Sequence, residues 1–334
     1  MKKLTLFFVS LIINVSVSTA HEGPWTAARP DGHAPISVMG DHMHAMGEWM
    51  VSYRYMTMDM KGLLKGSETV TASSQLTGMT TMVPSEMTMD MHMFGTMHAI
   101  SDKWTLMGML NYLDNDMNMV MPMNMTMNAK SSGIGDLKLA GLYDVAKWDD
   151  GRRAHLNLGL SLPTGSIDEK SGTSTLGYGM QLGSGTWDLH PAITYLGQTD
   201  RYSYGAQMGG IIRIGENDQD YTLGNKFEAT LWGARKITDT LSASAKLDYS
   251  NQGEVEGAHK GLTAMQKNMS PGNQATSQGR DITTLGLGLN YYFQDGGLKG
   301  HRIAAEWETP LDQKVNGVQL ELNSSWTLGW QYAW

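Results

Sequence analysis

The last eleven residues, SSWTLGWQYAW, set Trp326, Leu328, Trp330, Tyr332 and Trp334 on one parity and Ser325, Thr327, Gly329, Gln331 and Ala333 on the other. Successive side chains of a strand point to opposite faces, so a strand here is aromatic on one side and small or polar on the other. The same two-residue period recurs at Thr283, Leu285, Leu287, Leu289 and Tyr291, and at Leu241, Ala243, Ala245, Leu247 and Tyr249. It appears again at Leu156, Leu158, Leu160 and Leu162, and at Trp49, Val51, Tyr53 and Tyr55. About twelve such segments of roughly ten residues can be counted, the length a tilted strand needs to cross a bilayer.

The links between them alternate in length. Long or medium links are expected at 61–85, 121–132, 164–184, 215–224, 251–280 and 310–317, and short ones at 101–102, 147–152, 197–201, 236–239 and 294–299. Outer-membrane barrels have short periplasmic turns and longer external loops, so an even strand number puts both chain ends on the periplasmic side. A strand in lipid has no water to satisfy its amides, and only closure of the sheet pairs every backbone group. The expected fold class is therefore all-β: a transmembrane, antiparallel, up-and-down β-barrel of about 12 strands spanning residues 47–334. Parity then sends Arg54, Asp136, His155, Asp188, Lys246 and Glu306 to the lumen.

The chain opens MKKLTLFFVSLIINVSVSTA, two lysines before an apolar run that ends in small residues. That arrangement predicts a signal peptide over residues 1–20, a mature chain starting at His21, and a bacterial outer-membrane destination. The apolar run is too short for a membrane-spanning helix, which takes about 20 residues. There are no cysteines, which excludes disulfides and thiolate metal sites. A net charge of −8 argues against nucleic acid as a partner. The expected partners are outer-membrane lipid and a small-molecule or metal cargo.

Thr327, Gly329, Tyr332 and Trp334 resemble the C-terminal signal through which outer-membrane barrels engage the barrel assembly machinery. GIGDLKLAGLYDV at 133–145 and LNLGLSLPTGSID at 156–168 resemble the outer-membrane family named for the meta-pathway of phenol degradation, whose members are called transporters. YGMQLGSGTWDLHPAITY at 178–195 and RYSYGAQ at 201–207 fit the same pattern. The resemblance implies a channel that moves small molecules. The methionine-rich first third marks a subgroup within it.

Of 27 methionines, 22 lie between Met39 and Met127. Met56, Met58 and Met60 fall opposite Tyr53 and Tyr55, and Met107 and Met109 fall opposite Leu106 and Leu110, so both groups point inward. The run Met117, Met119, Met121, Met123, Met125 and Met127 carries that parity up into a loop. The second strand reads two ways. The preferred register turns Met91, Met93 and Met97 outward and Asp90, His92 and His98 inward. Thioethers suit soft ions such as Cu(I), serve as flexible apolar filler, or act as an oxidant sink. The alternation with Asp, Asn, Thr and His leans toward metal.

Residues 21–46, expected to lie in the periplasm or to plug the lumen, supply His21, His33, His42 and His44 with Met39, Met43 and Met46. His21, with a free amine after cleavage, offers a chelating pair for Cu(II), and Asp41-His42-Met43-His44 forms a second candidate in which Met46 shares a face with His42 and His44. No cofactor is required; a copper ion is the candidate ligand. No serine motif stands near the inward His155 and His190, so an enzyme is not expected. The principal expectation is a channel binding or passing copper or another soft metal. An uptake channel for apolar or aromatic compounds and a non-transporting metal-binding barrel remain alternatives.

Overall fold

A computed structural model describes residues 25–334; the expected signal peptide and the His21 chelate fall outside the described residues. Eleven strand elements follow in chain order: β1 (Trp49–Gly66), β2 (Val83–Ser101), β3 (Trp104–Val120), β4 (Leu137–Lys147), β5 (Arg153–Leu162), β6 (Trp187–Gln198), β7 (Tyr202–Ile214), β8 (Lys226–Lys236), β9 (Leu241–Gln252), β10 (Arg280–Tyr292) and β11 (His301–Ala333). Each pairs antiparallel with the next, and β11 pairs with both β10 and β1, so the sheet closes. The last element is 33 residues long and doubles back at Gly317, whose φ of 64° lies in the left-handed region that glycine tolerates. Its first arm pairs with β10 and its second with β1, and Val315 is the pivot shared by both ladders. The wall therefore makes twelve passes. A further strand, Thr126–Ile134, continues the pairing along β3 above β4.

Alternation places the side chains as the parity requires. Trp326, Leu328 and Trp330 face outward, whereas Ser325, Thr327 and Gln331 are buried inside. Leu106, Leu158, Leu189, Leu231 and Leu287 make an apolar outer wall. Arg54, Asp136, His155, Asp188, Lys246 and Glu306 are buried in the lumen. Their charges are matched: Lys246 Nζ lies 3.0 Å from Glu306 and 2.6 Å from Glu308, and Arg213 pairs with Asp188.

β2 takes the register opposite to the preferred one. Met93 and Met97 are buried inside, while Phe94 is exposed on the outer wall. The polar residues on that wall are satisfied locally. The Tyr55 hydroxyl donates to Asp90 at 2.9 Å, Tyr53 bonds His92 at 2.8 Å, and His98 stacks on Trp49 with ring centres 4.0 Å apart. Tyrosines on β1 and a rim tryptophan thus carry groups that would be costly alone in lipid.

Residues 25–46 lie inside the barrel and hydrogen-bond to strands around the wall. Arg54 Nε on β1 donates to Ile36 O, the His44 amide donates to Thr105 Oγ1 on β3, and Asn157 Nδ2 on β5 donates to Gly40 O. Gln207 on β7 donates to Met39 O and Ser242 on β9 donates to Pro30 O. Arg302 on β11 reaches Ala27, Arg29 and Pro30 carbonyls at 2.7–3.0 Å. Most of these wall residues lie toward the ends of strands joined by short turns, so the segment plugs that half of the lumen. At the other end, the loop 163–186 folds inward and buries Leu176, Tyr178 and Met180.

Candidate functional site

The inward register of β2 brings the methionines of β1, β2 and β3 into facing positions. Met50 pairs with Met97 and Met97 with Met107, making one three-methionine rung near the plug. Met60 pairs with Met87 and Met87 with Met117, making a second rung toward the loops. Ten residues of β1 separate the rungs, about 33 Å along the strand at 3.3 Å per residue. Met58–Met89 and Met56–Met91 continue the upper rung downward, and Arg54–Met93 and Ser52–Gly95 lie between them and the lower rung. Directly opposed residues in such ladders stand about 4.5–5.5 Å apart, close enough for thioethers to share a ligand.

Around the upper rung, Met60, Met87, Met119 and Met180 are buried, with Met58, Met82, Met89, Met117 and Met127 packed against them. Met180 comes from the inward loop, whose backbone is held by Ser131 Oγ donating to Met180 O at 2.7 Å. Its sequence context carries no strand period that would mark it as inward-facing. Met127 joins because Thr126–Ile134 turns back along β3, putting Met127 opposite Met119.

The lower rung faces the plug. Met39 and Asp41 from the plug and Met50, Met97, Met107 and Met109 from the wall line a cavity of about 10 Å³, on the order of the space for one water-sized particle. Met43 of the plug packs against Met50, Met97 and Met107. Arg54 also lines this cavity, and the Asp41 carboxylate opposes its charge.

Four of the expected ligands stand elsewhere. Met123 and Met125 sit on an exposed tip, where Met123 and Asn124 adopt left-handed backbone, at φ 61° and 56°, and break the alternation. Met46 is exposed at the turn before β1 and does not share a strand face with His42 and His44, because residues 41–45 are not a strand. Met121 is half-buried beside the tip.

Within the plug, three imidazoles gather. The rings of His33 and His42 are centred 3.8 Å apart, and those of His42 and His44 4.8 Å apart. His42 Nδ1 is 2.9 Å from Asp41, and His44 Nδ1 is 3.4 Å from Glu48. Burial, then the nearby Arg302 charge, holds the His33 pKa well below its ordinary value, and burial with the neighbouring His42 brings His44 down to about 3. Burial alone would raise Asp41; the adjoining His42 ring and the Ala34 amide outweigh it and bring it to about 2. Both imidazoles are thus kept neutral beside an ionised carboxylate. His33 lies eight residues before Asp41, and no local spacing in the sequence ties it to the other two.

A family model described as Putative MetA-pathway of phenol degradation matches residues 66–327. Among solved structures, an outer membrane channel from Pseudomonas putida F1 is 14% identical, with a TM-score of 0.65 over 89% of this chain and 99% of that one. The KdgM porin is 9% identical, with a TM-score of 0.42 over 85% of this chain and 98% of that one. No curated protein matches. The fold is that of outer-membrane barrels, whose short turns lie on the periplasmic side.

Proposed function

This chain belongs to the family described as Putative MetA-pathway of phenol degradation, and from that premise we propose that it is an outer-membrane channel whose lumen binds and passes a soft monovalent metal ion, Cu(I) or Ag(I). The observation that carries this reading is the pair of methionine rungs on β1, β2 and β3, with thioethers between them and an ion-sized cavity at the lower end. Thioethers hold soft ions, and hard ions prefer oxygen. A ladder of weak, similar sites lets an ion move from one to the next, which conduction requires. Leucine would line an apolar wall equally well, and a wall of filler gives no reason for methionine to oppose methionine at both levels.

The test is metal flux. Liposomes carrying the purified barrel and an entrapped Cu(I) chelator should accumulate Cu(I) faster than empty liposomes, and replacing Met60, Met87 and Met117 by leucine should slow that accumulation. The plug below and the inward loop above favour a second reading, a metal-binding barrel that passes nothing. Stoichiometric Cu(I) binding without flux would select it. Flux of small aromatic compounds without metal binding would reject both.

A further inference from the structure

Beyond the soft-ion reading, the plug carries a separate constellation with different chemistry. His42 Nε2, His44 Nε2 and His33 Nδ1 are all buried and have no hydrogen-bond partner among the described residues. His42 and His44 are 1% and 6% exposed. An unpaired polar nitrogen in such a place is costly, and three of them on neighbouring rings call for something else to pair with.

Their other nitrogens explain the orientation. Asp41 bonds His42 Nδ1 with one carboxylate oxygen, and its second oxygen accepts from the Ala34 amide at 2.8 Å. Glu48 stands beside His44 Nδ1 and accepts from the Ala45 amide at 2.9 Å. A carboxylate on one imidazole nitrogen fixes the ring and raises the basicity of the other, the arrangement that supports histidine ligands on a metal. Ligand atoms of His33, Asp41 and His42 lie within 4.8 Å of one another, with the His42 and His44 rings in edge contact.

We propose that His33, Asp41 and His42 form a binding site for a borderline divalent transition ion, Zn(II) or Cu(II), inside the plug, with the unpaired Nε2 of the neighbouring His44 beside it. Imidazole is the ligand these ions favour, and two imidazoles with a carboxylate leave a position open for water or a fourth donor. The arginines Arg54 and Arg302 are the cations facing the site, and Asp41 offsets them. All three ligands belong to the plug, so the ion stabilises the plug's own fold and does not tie it to the wall.

The experiment titrates the metal-free, detergent-solubilised barrel with Co(II), whose visible d–d bands intensify in a low-coordinate nitrogen site. One equivalent should bind with such bands and be displaced by Zn(II). His33→Ala, His42→Ala and Asp41→Ala should each weaken binding at least tenfold, and His44→Ala should weaken it less. The plug lies outside the sheet, so the far-UV dichroism of all four variants should match the parent. Replacing Met60, Met87 and Met117 by leucine should leave Co(II) binding unchanged, which separates this site from the thioether ladder. Absence of the bands, or parental affinity in His42→Ala with an unaltered barrel, would overturn the proposal.

Discussion

Gly329 of β11 lies directly against Ile36 of the plug: a Cβ at position 329 would stand 2.5 Å from Ile36 Cγ1 and 2.7 Å from Cδ1. The absence of a side chain there is what lets the plug approach the wall. Gly329→Ala is therefore expected to unseat the plug, seen as higher single-channel conductance and faster proteolysis of the N-terminal segment. Ile36→Ala removes both colliding atoms, and in the double variant conductance and protection should return toward the parental values. Equal conductance in all three proteins would remove Gly329 from the docking surface.

Lys246 is shared by Glu306 and Glu308, and its ammonium also reaches Ser37 of the plug, whose amide donates to Glu306 at 2.9 Å. Lys246→Met leaves the buried Glu306 and the half-buried Glu308 carboxylates without their cation. Removing one partner from a buried ion pair costs about 3–5 kcal/mol. Guanidinium unfolding of the refolded barrel should show a loss of that order, with Lys246→Arg losing less.

Leu231 on β8 is 59% exposed on the outer wall. A cation at such a lipid-facing position costs about 2–4 kcal/mol near the membrane midplane. Leu231→Arg should lower stability in lipid vesicles by that amount. A variant as stable as the parent would mean that this face is not in hydrocarbon.

The tip methionines separate composition from geometry. Met123 and Met125 continue the sequence run but are exposed, whereas Met119 and Met127 face each other beside the upper rung. Changing Met123 and Met125 to leucine should leave Ag(I) affinity unaltered, measured by competition with a soft-metal chelator.

The barrel was legible because lipid enforces a two-residue period over membrane-length segments, and the alternation of short and long links gave the direction of each pass. β2 was misread for a specific reason. Asp90 and His92 look like lumen residues by charge, and only the neighbouring Tyr53 and Tyr55 hydroxyls, which are cross-strand information, let them sit on the outer wall. The plug's imidazole cluster was half legible, since Asp41, His42 and His44 are adjacent in sequence whereas His33 arrives by a chain reversal. Met180 was hidden for a similar reason, because an inward-folding loop has no period to read.

The central claim is that the two rungs hold soft metal through sulfur, and Ag(I) titration of the purified barrel tests it most directly. Leucine matches methionine closely in volume, and such swaps usually cost under about 1.5 kcal/mol, so replacing Met50, Met97, Met107, Met60, Met87 and Met117 preserves the wall while removing six thioethers. The predicted result is tight Ag(I) binding by the parent and a loss of at least tenfold in the six-leucine variant with the barrel intact. Equal Ag(I) affinity in the two proteins would contradict it.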